Sequence, residues 1–374
     1  MRIALVCPYD WAAPGGVQVH VRELADAFRS GGHSVDVLAP SRLPRIEGGE
    51  RVGAPVPVPY NGSTAPIDPR PWHRARVLQA LRSFDPDVVH VHEPFVPSTS
   101  LWATLASEAP VVATFHSGAE RSALYDAAAP FLRRIARRID ARVAVSARAA
   151  SVARARIGGS FEIVPNGIDV DSFAEVAPAD IGPGRKLLFV GRLDRRKGFP
   201  VALEAFALLA ARYDDVRLIV VGAGAERPAI DRMAPDVRAR ISMLGAVPNG
   251  QLPPIHQACD VFLGPSLGGE SFGVILIEAM AAGMPVVTSR IPGYDEVIDD
   301  GVNGLLVAPG DPRALADAVG RVLADPNLAG RLAAAAAEGA RRYDWSVVSR
   351  EIEAVYRRVL DGGSKPADRT PPVP

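Results

Sequence analysis

The chain has 374 residues, more than the ~250–300 at which a single hydrophobic core stops growing, so two domains are expected. Its 42 basic and 42 acidic residues cancel, which excludes a global basic field for nucleic acid and leaves only local patches to meet an anionic surface. The two cysteines, Cys7 and Cys259, offer no zinc spacing and read as two buried thiols in a reducing cytoplasm.

The opening MRIALVCPYD reads as a first strand and not as a signal peptide, with one basic residue, a short apolar run and no cleavage pattern. No stretch approaches the ~20 apolar residues that span a bilayer. The expectation is a cytoplasmic protein, peripheral at most on the cytoplasmic face of the cell membrane. In chain order, 3–8 is the first strand, 17–32 a helix closed by Gly31 and Gly32, and 34–40 the next strand. Further strands follow at 87–92, 110–116 and 141–146, each running into a turn. The series restarts with strands at 186–191, 216–222, 241–245, 261–266, 285–289 and 303–310.

Strands alternating with helices imply parallel sheets covered on both faces. The fold class is therefore α/β, with two Rossmann-like domains whose parallel sheets face a deep interdomain cleft. A Pro-, Gly- and Asp-rich stretch, 165–186, marks the linker. The expected division is an acceptor domain over 1–168, a donor domain over 169–342, and a terminal helix over 343–362 that packs back on the first domain. A disordered tail, 363–374, completes it.

Ligands of such sheets bind past the carboxyl ends of the strands, and the unusual residues fall there. The loop PGGVQ (14–18) puts Gly15 and Gly16 before a helix, a setting for anions; a plain turn explains it equally well. GRLDRRKG (191–198) projects Arg192 and Lys197 from a strand end. Only three lysines occur, Lys186, Lys197 and Lys365, so a lysine among arginines points to a compact charge suited to a diphosphate, against the alternative of a solvated basic loop.

The strongest signal is PSLGGESFGVILIEAMAAG (265–283). A helix beginning near Ser271 or Phe272 would aim the N–H groups of Phe272, Gly273 and Val274 at an anion. Glu270 precedes it, and Glu278 lies ~12 Å further along a helical rise. One carboxylate would meet a sugar and the other a ribose. The plainer reading makes Glu270 a cap and Glu278 an ion-pair member, but an unpaired carboxylate on the apolar face ILIEAMAAG is costly. His116, at a strand's end, and His92 with Glu93 in HVHEPF (90–95) line or support the cleft, while His90 fits the core. Their spacing gives no metal-ligand pattern, so no required protein-bound metal is expected.

These stretches, with PNGIDV (165–170), resemble the family-four retaining glycosyltransferases of GT-B fold, in order and over essentially the whole chain. VPYNGS (58–63), ATFHS (113–117), GGESFG (268–273) and YDWSVVS (343–349) are most similar to the actinobacterial branch that mannosylates phosphatidylinositol. The resemblance implies GDP-mannose as co-substrate, no further cofactor, and a phospholipid acceptor. It implies that Arg192, Lys197 and Gly16 meet the donor diphosphate. Glu270 would hold the transferred sugar, Glu278 the ribose, and His116 would lie beside sugar and acceptor. Tyr9, Gln18, Asn61, Ser63 and Arg121 would form the inositol-phosphate side.

Two stretches depart from that branch. Pro66 stands where an acceptor arginine is expected, with Arg70 out of register. LGAVPNGQ (244–251) has Asn249 and lacks the aspartate pair that reads guanine. A UDP-sugar donor, another lipid or a small polyol acceptor, and a nucleotide-sugar epimerase or hydrolase stay open as alternatives. For the membrane, 69–84 reads as an amphipathic helix with Val77, Leu78, Leu81 and Phe84 inward and Trp72, Arg76, Gln79 and Ser83 outward. Arginines near helical spacing over 131–142 form a second basic face. Both fit an anionic membrane surface, and both fit a solvated face.

Overall fold

Runs of β-branched residues without polar alternation suit strands covered on both faces. The computed structural model describes residues 1–13, 15–60, 63–117 and 128–362, with the backbone alone at 59, 60 and 63. It divides into two compact units, one of Met1–Gly167 with the segment from Trp345 on, the other of Ile168–Asp344.

In the first unit β1 (Arg2–Val6) lies between β2 (Ser34–Ala39) and β6 (Val88–His92), with Ile3 opposite Val35 and Val88. Adding β3 (Gly49–Arg51), β7 (Val111–Phe115), β8 (Ala141–Ala144) and β9 (Glu162–Ile163) gives a parallel sheet in the order β3-β2-β1-β6-β7-β8-β9. Successive residues of β1 feed opposite cores. Ile3 and Leu5 pack with Leu24 and Phe28 of α1 (Gly16–Ser30) and with Val348 and Ile352 of the last helix, Trp345–Leu360. Ala4 and Val6 pack with Val77 and Leu81 of α2 (His73–Phe84) and Ala103 of α3 (Thr99–Ala106).

Between β3 and α2 the chain forms an antiparallel hairpin, β4 (Val56–Tyr60) with β5 (Ser63–Ile67), which the sequence pattern does not announce. Pro57, Pro59 and Pro66 remove ladder donors and hide the strand signal.

The second unit repeats the plan. β10 (Arg185–Val190) lies between β11 (Val216–Val221) and β13 (Val261–Gly264). With β12 (Ile241–Gly245), β14 (Val286–Ser289) and β15 (Leu305–Val307) the order is β12-β11-β10-β13-β14-β15, again parallel. Phe189, Phe199, Phe206 and Leu263 are buried at its centre. Part of the stretch read as linker is ordered, since Asp169 caps a short helix, Val170–Ala174, by accepting the Ser172 N–H at 3.1 Å. Cys7 is buried, but Cys259 is only half-buried, because it follows the helix Leu252–Gln257 in a turn and does not lie in a strand.

In each sheet the strand order reverses beside the first strand of its unit, at β1 and at β10. The crevice past the carboxyl ends of such strands is where ligands of open parallel sheets are held.

Candidate functional site

In the second unit, the loops after β10 and β13 converge on Glu270. Lys197 Nζ stands 3.0 Å from Glu270 Oε2, and Arg196 Nη1 stands 2.9 Å from Oε1. Ser266 Oγ donates to the same carboxylate at 3.3 Å and lies 3.0 Å from the Tyr294 hydroxyl. The turn that aims Lys197 is held by Asp194, whose Oδ1 accepts the Lys197 N–H at 2.7 Å. Gly198 follows at φ +70° and passes so close to Pro265 that no side chain fits there.

Arg192 behaves differently from Lys197. It reaches Asp194 at 3.3 Å and stays about half exposed, so Arg196 takes the position beside Glu270. Sequence reading passes over Arg196 because, in the run Arg195–Lys197, only the turn geometry decides which arginine faces inward.

The helix after this loop begins later than expected, at Val274. Gly273 adopts φ +96° and Phe272 is buried against Tyr343 with ring centroids 5.5 Å apart, so the backbone through Phe272 is not helical. The N–H groups at the helix start are those of Gly273 and Val274, with Phe272 outside it. Glu270 precedes the helix, so helical rise does not set its separation from Glu278.

Glu278 Oε2 is enclosed and meets no hydrogen-bond partner among the described residues. Burial pushes its carboxyl up to about 7, and the Lys197 ammonium opposes that shift. Lys197 therefore serves two glutamates, one by contact and one through the field. A raised carboxyl pKa means that the folded chain keeps a proton the unfolded chain has given up between pH 4.5 and about 7. The contribution of Glu278 to stability accordingly falls as pH rises through that window.

In the first unit the histidines gather past β6 and β7. His92 ends β6, and His116 follows β7 directly. His92 Nδ1 lies 2.9 Å from His116 Nε2. Glu93, in a left-handed conformation at φ +51°, accepts the His116 N–H at 2.8 Å, and burial pushes its carboxyl up to about 7. His90 is a core residue, 2.6 Å from the Tyr356 hydroxyl and 2.7 Å from that of Thr114. Burial first, then neighbouring imidazoles, hold His92 and His116 well below the usual histidine range. His20 of α1 joins them, lowered to about 4 by burial. Its ring centroid is 4.8 Å from that of His116 and 5.1 Å from Trp345. Sequence reading did not single out His20, because one turn before Leu24 on the buried stripe of α1 it looks like a core residue.

Gln18 is buried, with Nε2 3.4 Å from the Asp10 carbonyl. Its amide fills the space a Cβ on Gly15 would need, whereas Gly16 opens α1 with nothing within 4 Å of where a Cβ would stand. Tyr9 is half-buried, and its backbone bridges to Ile67. Asn61 and Arg121 lie outside the described residues, and so does the side chain of Ser63. Arg70 is committed elsewhere: its guanidinium pairs with buried Asp68 at 2.7 Å, so it does not stand in for an arginine at Pro66. Asn249 opens a single exposed turn, Asn249–Gln251.

On the surface of this unit α2 starts at His73, buries Val77 and Leu81, and half-buries Leu78 and Phe84. Trp72, just before it, is 66% exposed beside exposed Arg74 and Arg76. The second basic face is shorter than expected. The helix Ala129–Ala136 exposes Phe131, Arg133 and Arg134, but Arg142 lies in β8, buried, and donates to the carbonyls of Gly158 and Ala136. Among the described residues no helix is long and apolar enough to cross a membrane.

Residues 14–172 match the family described as Glycosyltransferase Family 4, and residues 177–339 match Glycosyl transferases group 1. The phosphatidyl-myo-inositol mannosyltransferase of Mycobacterium leprae is 41% identical over 371 residues, 98% of this chain and 99% of that one. The enzyme of the same name from Propionibacterium freudenreichii is 34% identical, over 95% and 94% of the two chains. Among solved structures, a sucrose-phosphate synthase from Thermosynechococcus elongatus is similar in fold, with a TM-score of 0.74 at 24% identity over 96% of this chain and 99% of that one.

Proposed function

Because the chain belongs to the family-four glycosyltransferases, we propose that it transfers mannose, with retention, from GDP-mannose to an inositol hydroxyl of phosphatidylinositol. The observation that carries this reading is Lys197, past the carboxyl end of β10, in contact with Glu270 and acting on the buried Glu278 carboxyl through its charge, in a chain similar over nearly its full length to phosphatidyl-myo-inositol mannosyltransferases.

In this reading Lys197 and Arg192 neutralise the leaving diphosphate, together with the N–H groups at the start of the helix Val274–Ala281. As Lys197 turns to phosphate, Arg196 keeps Glu270 ordered, and Glu270 accepts hydrogen bonds from the transferred sugar. Glu278 accepts from the ribose hydroxyls. The acceptor hydroxyl attacks from the face the diphosphate leaves, and its proton passes to the departing phosphate oxygen, so Glu270 is not a covalent nucleophile. Gly16, His116, Tyr9, Gln18, Asn61, Ser63 and Arg121 keep the donor-phosphate, sugar and acceptor roles that the family resemblance implies.

Calorimetry against GDP, UDP, GDP-mannose and UDP-glucose tests the donor. Selective binding of the GDP ligands, followed by mannose transfer to phosphatidylinositol, is the expected result. Selective binding of UDP ligands would discard mannose and favour the second reading, a UDP-sugar transferase, for which the missing aspartate pair around Asn249 speaks. The same titrations carry a proton signature. Ribose hydroxyls donating to Glu278 favour its carboxylate, so donor binding near pH 6 releases a proton and tightens toward pH 8, where Glu278 is already ionised. Buffers of different ionisation enthalpy read that release, which should vanish in Glu278→Gln. Its persistence there would assign the proton to another group.

We further propose that the Trp72 end of α2 and the Phe131 helix dock on an anionic membrane surface at the cytoplasmic face. Exposed aromatics beside arginine are what such an interface favours. Co-sedimentation with anionic vesicles at low salt should fall in Trp72→Ala and vanish at high salt. No sedimentation of the parent chain at low salt would end this part of the reading.

A further inference from the structure

The histidines of the first unit are unusual in one respect. His20, His92 and His116 each offer a ring nitrogen, and these three nitrogens lie within 4.8 Å of one another. All three residues are at most 9% exposed. Neither nitrogen of His20 has a hydrogen-bond partner, nor does Nε2 of His92. Asn166 is the polar neighbour of His20 and His116 and favours the charged form of both, without reaching full hydrogen-bond geometry on either His20 nitrogen.

Leaving buried polar atoms unpaired is costly, about 1–3 kcal/mol for each. Neutral imidazoles gathered this closely are also the ligand set that zinc-class ions select, at about 2.0–2.1 Å from each nitrogen, and an ion would take the place of the hydrogen bond between His92 Nδ1 and His116 Nε2.

We propose that His20, His92 and His116 form a site for a dissociable late first-row dication of the zinc class, and that the ion switches the enzyme off. The scaffold suits this. His92 and His116 hang from adjacent strands, where the register sets His92 opposite Thr114. His20 closes over them from α1, backed by Trp345. Drawing the three nitrogens onto one ion needs only modest side-chain movement, because tetrahedral coordination sets them roughly 3.4 Å apart. The inner ligands are uncharged, so the ion keeps its positive charge and attracts an anion or water to its open position. Glu93 holds the His116 backbone on the same framework, its Oε1 accepting the His116 N–H at 2.8 Å.

The inhibitory consequence rests on the reading of His116 as a sugar-side residue. An ion on its ring removes that ring from the substrate. The binding itself does not rest on that reading.

The test is titration of the full chain, stripped with a chelator, with Co²⁺ followed by Zn²⁺. One Co²⁺ per chain with the visible absorption of a tetrahedral nitrogen site, displaced by Zn²⁺, is expected. His20→Phe preserves the ring packing on Trp345 and should weaken Co²⁺ binding at least about 100-fold while the chain stays folded by circular dichroism. If His20→Phe does not fold, His20→Asn serves the same purpose. Zinc should lower transfer at least about 10-fold, reversed by chelator. A featureless cobalt titration, or equal affinity in the His20 variant, would overturn the proposal. Absence of mannose transfer by the metal-free chain would instead overturn the functional reading and leave the cobalt result standing.

Discussion

Replacing Lys197 by alanine is expected to slow transfer about 10²–10³-fold, the cost of removing one strong donor from developing charge. The loss should be catalytic and not structural. Lys197 is mostly buried and sits 3.0 Å from Glu270, but Arg196 and Ser266 hold the same carboxylate and remain in the variant. Glu270 is therefore not left as a buried charge without a partner, the condition that makes broken ion pairs expensive. A second effect follows from the field. Lys197 is the group that opposes the upward shift of Glu278, so without it the Glu278 carboxyl rises further. The pH at which donor binding tightens should then move in the alkaline direction. Steady-state rates and donor titrations from pH 6 to 9 measure both. Turnover near that of the parent chain would mean the diphosphate is bound elsewhere.

Gly198→Ala should have the largest effect on stability. At φ +70° a residue with a side chain costs about 1–2 kcal/mol, and its Cβ would come within 1.8 Å of the Pro265 carbonyl oxygen. The obstacle is backbone from the neighbouring β13 loop, so it does not yield as a flexible side chain would. The combined loss should be at least ~2 kcal/mol, a sizeable part of the ~5–15 kcal/mol that holds a domain folded. Thermal or denaturant unfolding of the second unit reads it. Gly16→Ala is the control, since a methyl there meets nothing within 4 Å. Equal melting of Gly198→Ala and the parent chain would show that the loop can part from β13.

What could be read from the sequence was what neighbouring residues encode. The runs at 3–6, 187–190 and 218–221 are apolar because both faces of each sheet are covered, and no distant partner is needed to recognise them. Glu278 stood out for the same reason, as an acid on an apolar face.

Features decided by backbone sign or by long-range convergence were not legible. Gly273 at φ +96° delays the helix that the sequence would begin at Ser271 or Phe272. The choice between Arg192 and Arg196 depends on which side of a tight turn each occupies, and both fit the same motif. His20, His92 and His116 show no pattern because they come from one helix, the end of one strand and the residue after another, which only the sheet order β1-β6-β7 brings together. The β4–β5 hairpin was hidden by its prolines.

The last helix also governs how the chain can fold during synthesis. The first unit is left at Gly167 and resumed at Trp345, and its core includes Trp345, Val348, Ile352 and Tyr356. The ribosome therefore delivers the second unit whole while the first still lacks the helix Trp345–Leu360, which packs with Leu24 and Phe28 of α1. The second unit has no such wait. Its two ends already meet, the Ile168 N–H reaching the Tyr343 carbonyl at 2.9 Å. It has the form of an insertion, a piece whose entry and exit lie side by side, the geometry in which one domain sits within another without rethreading the sheet that hosts it.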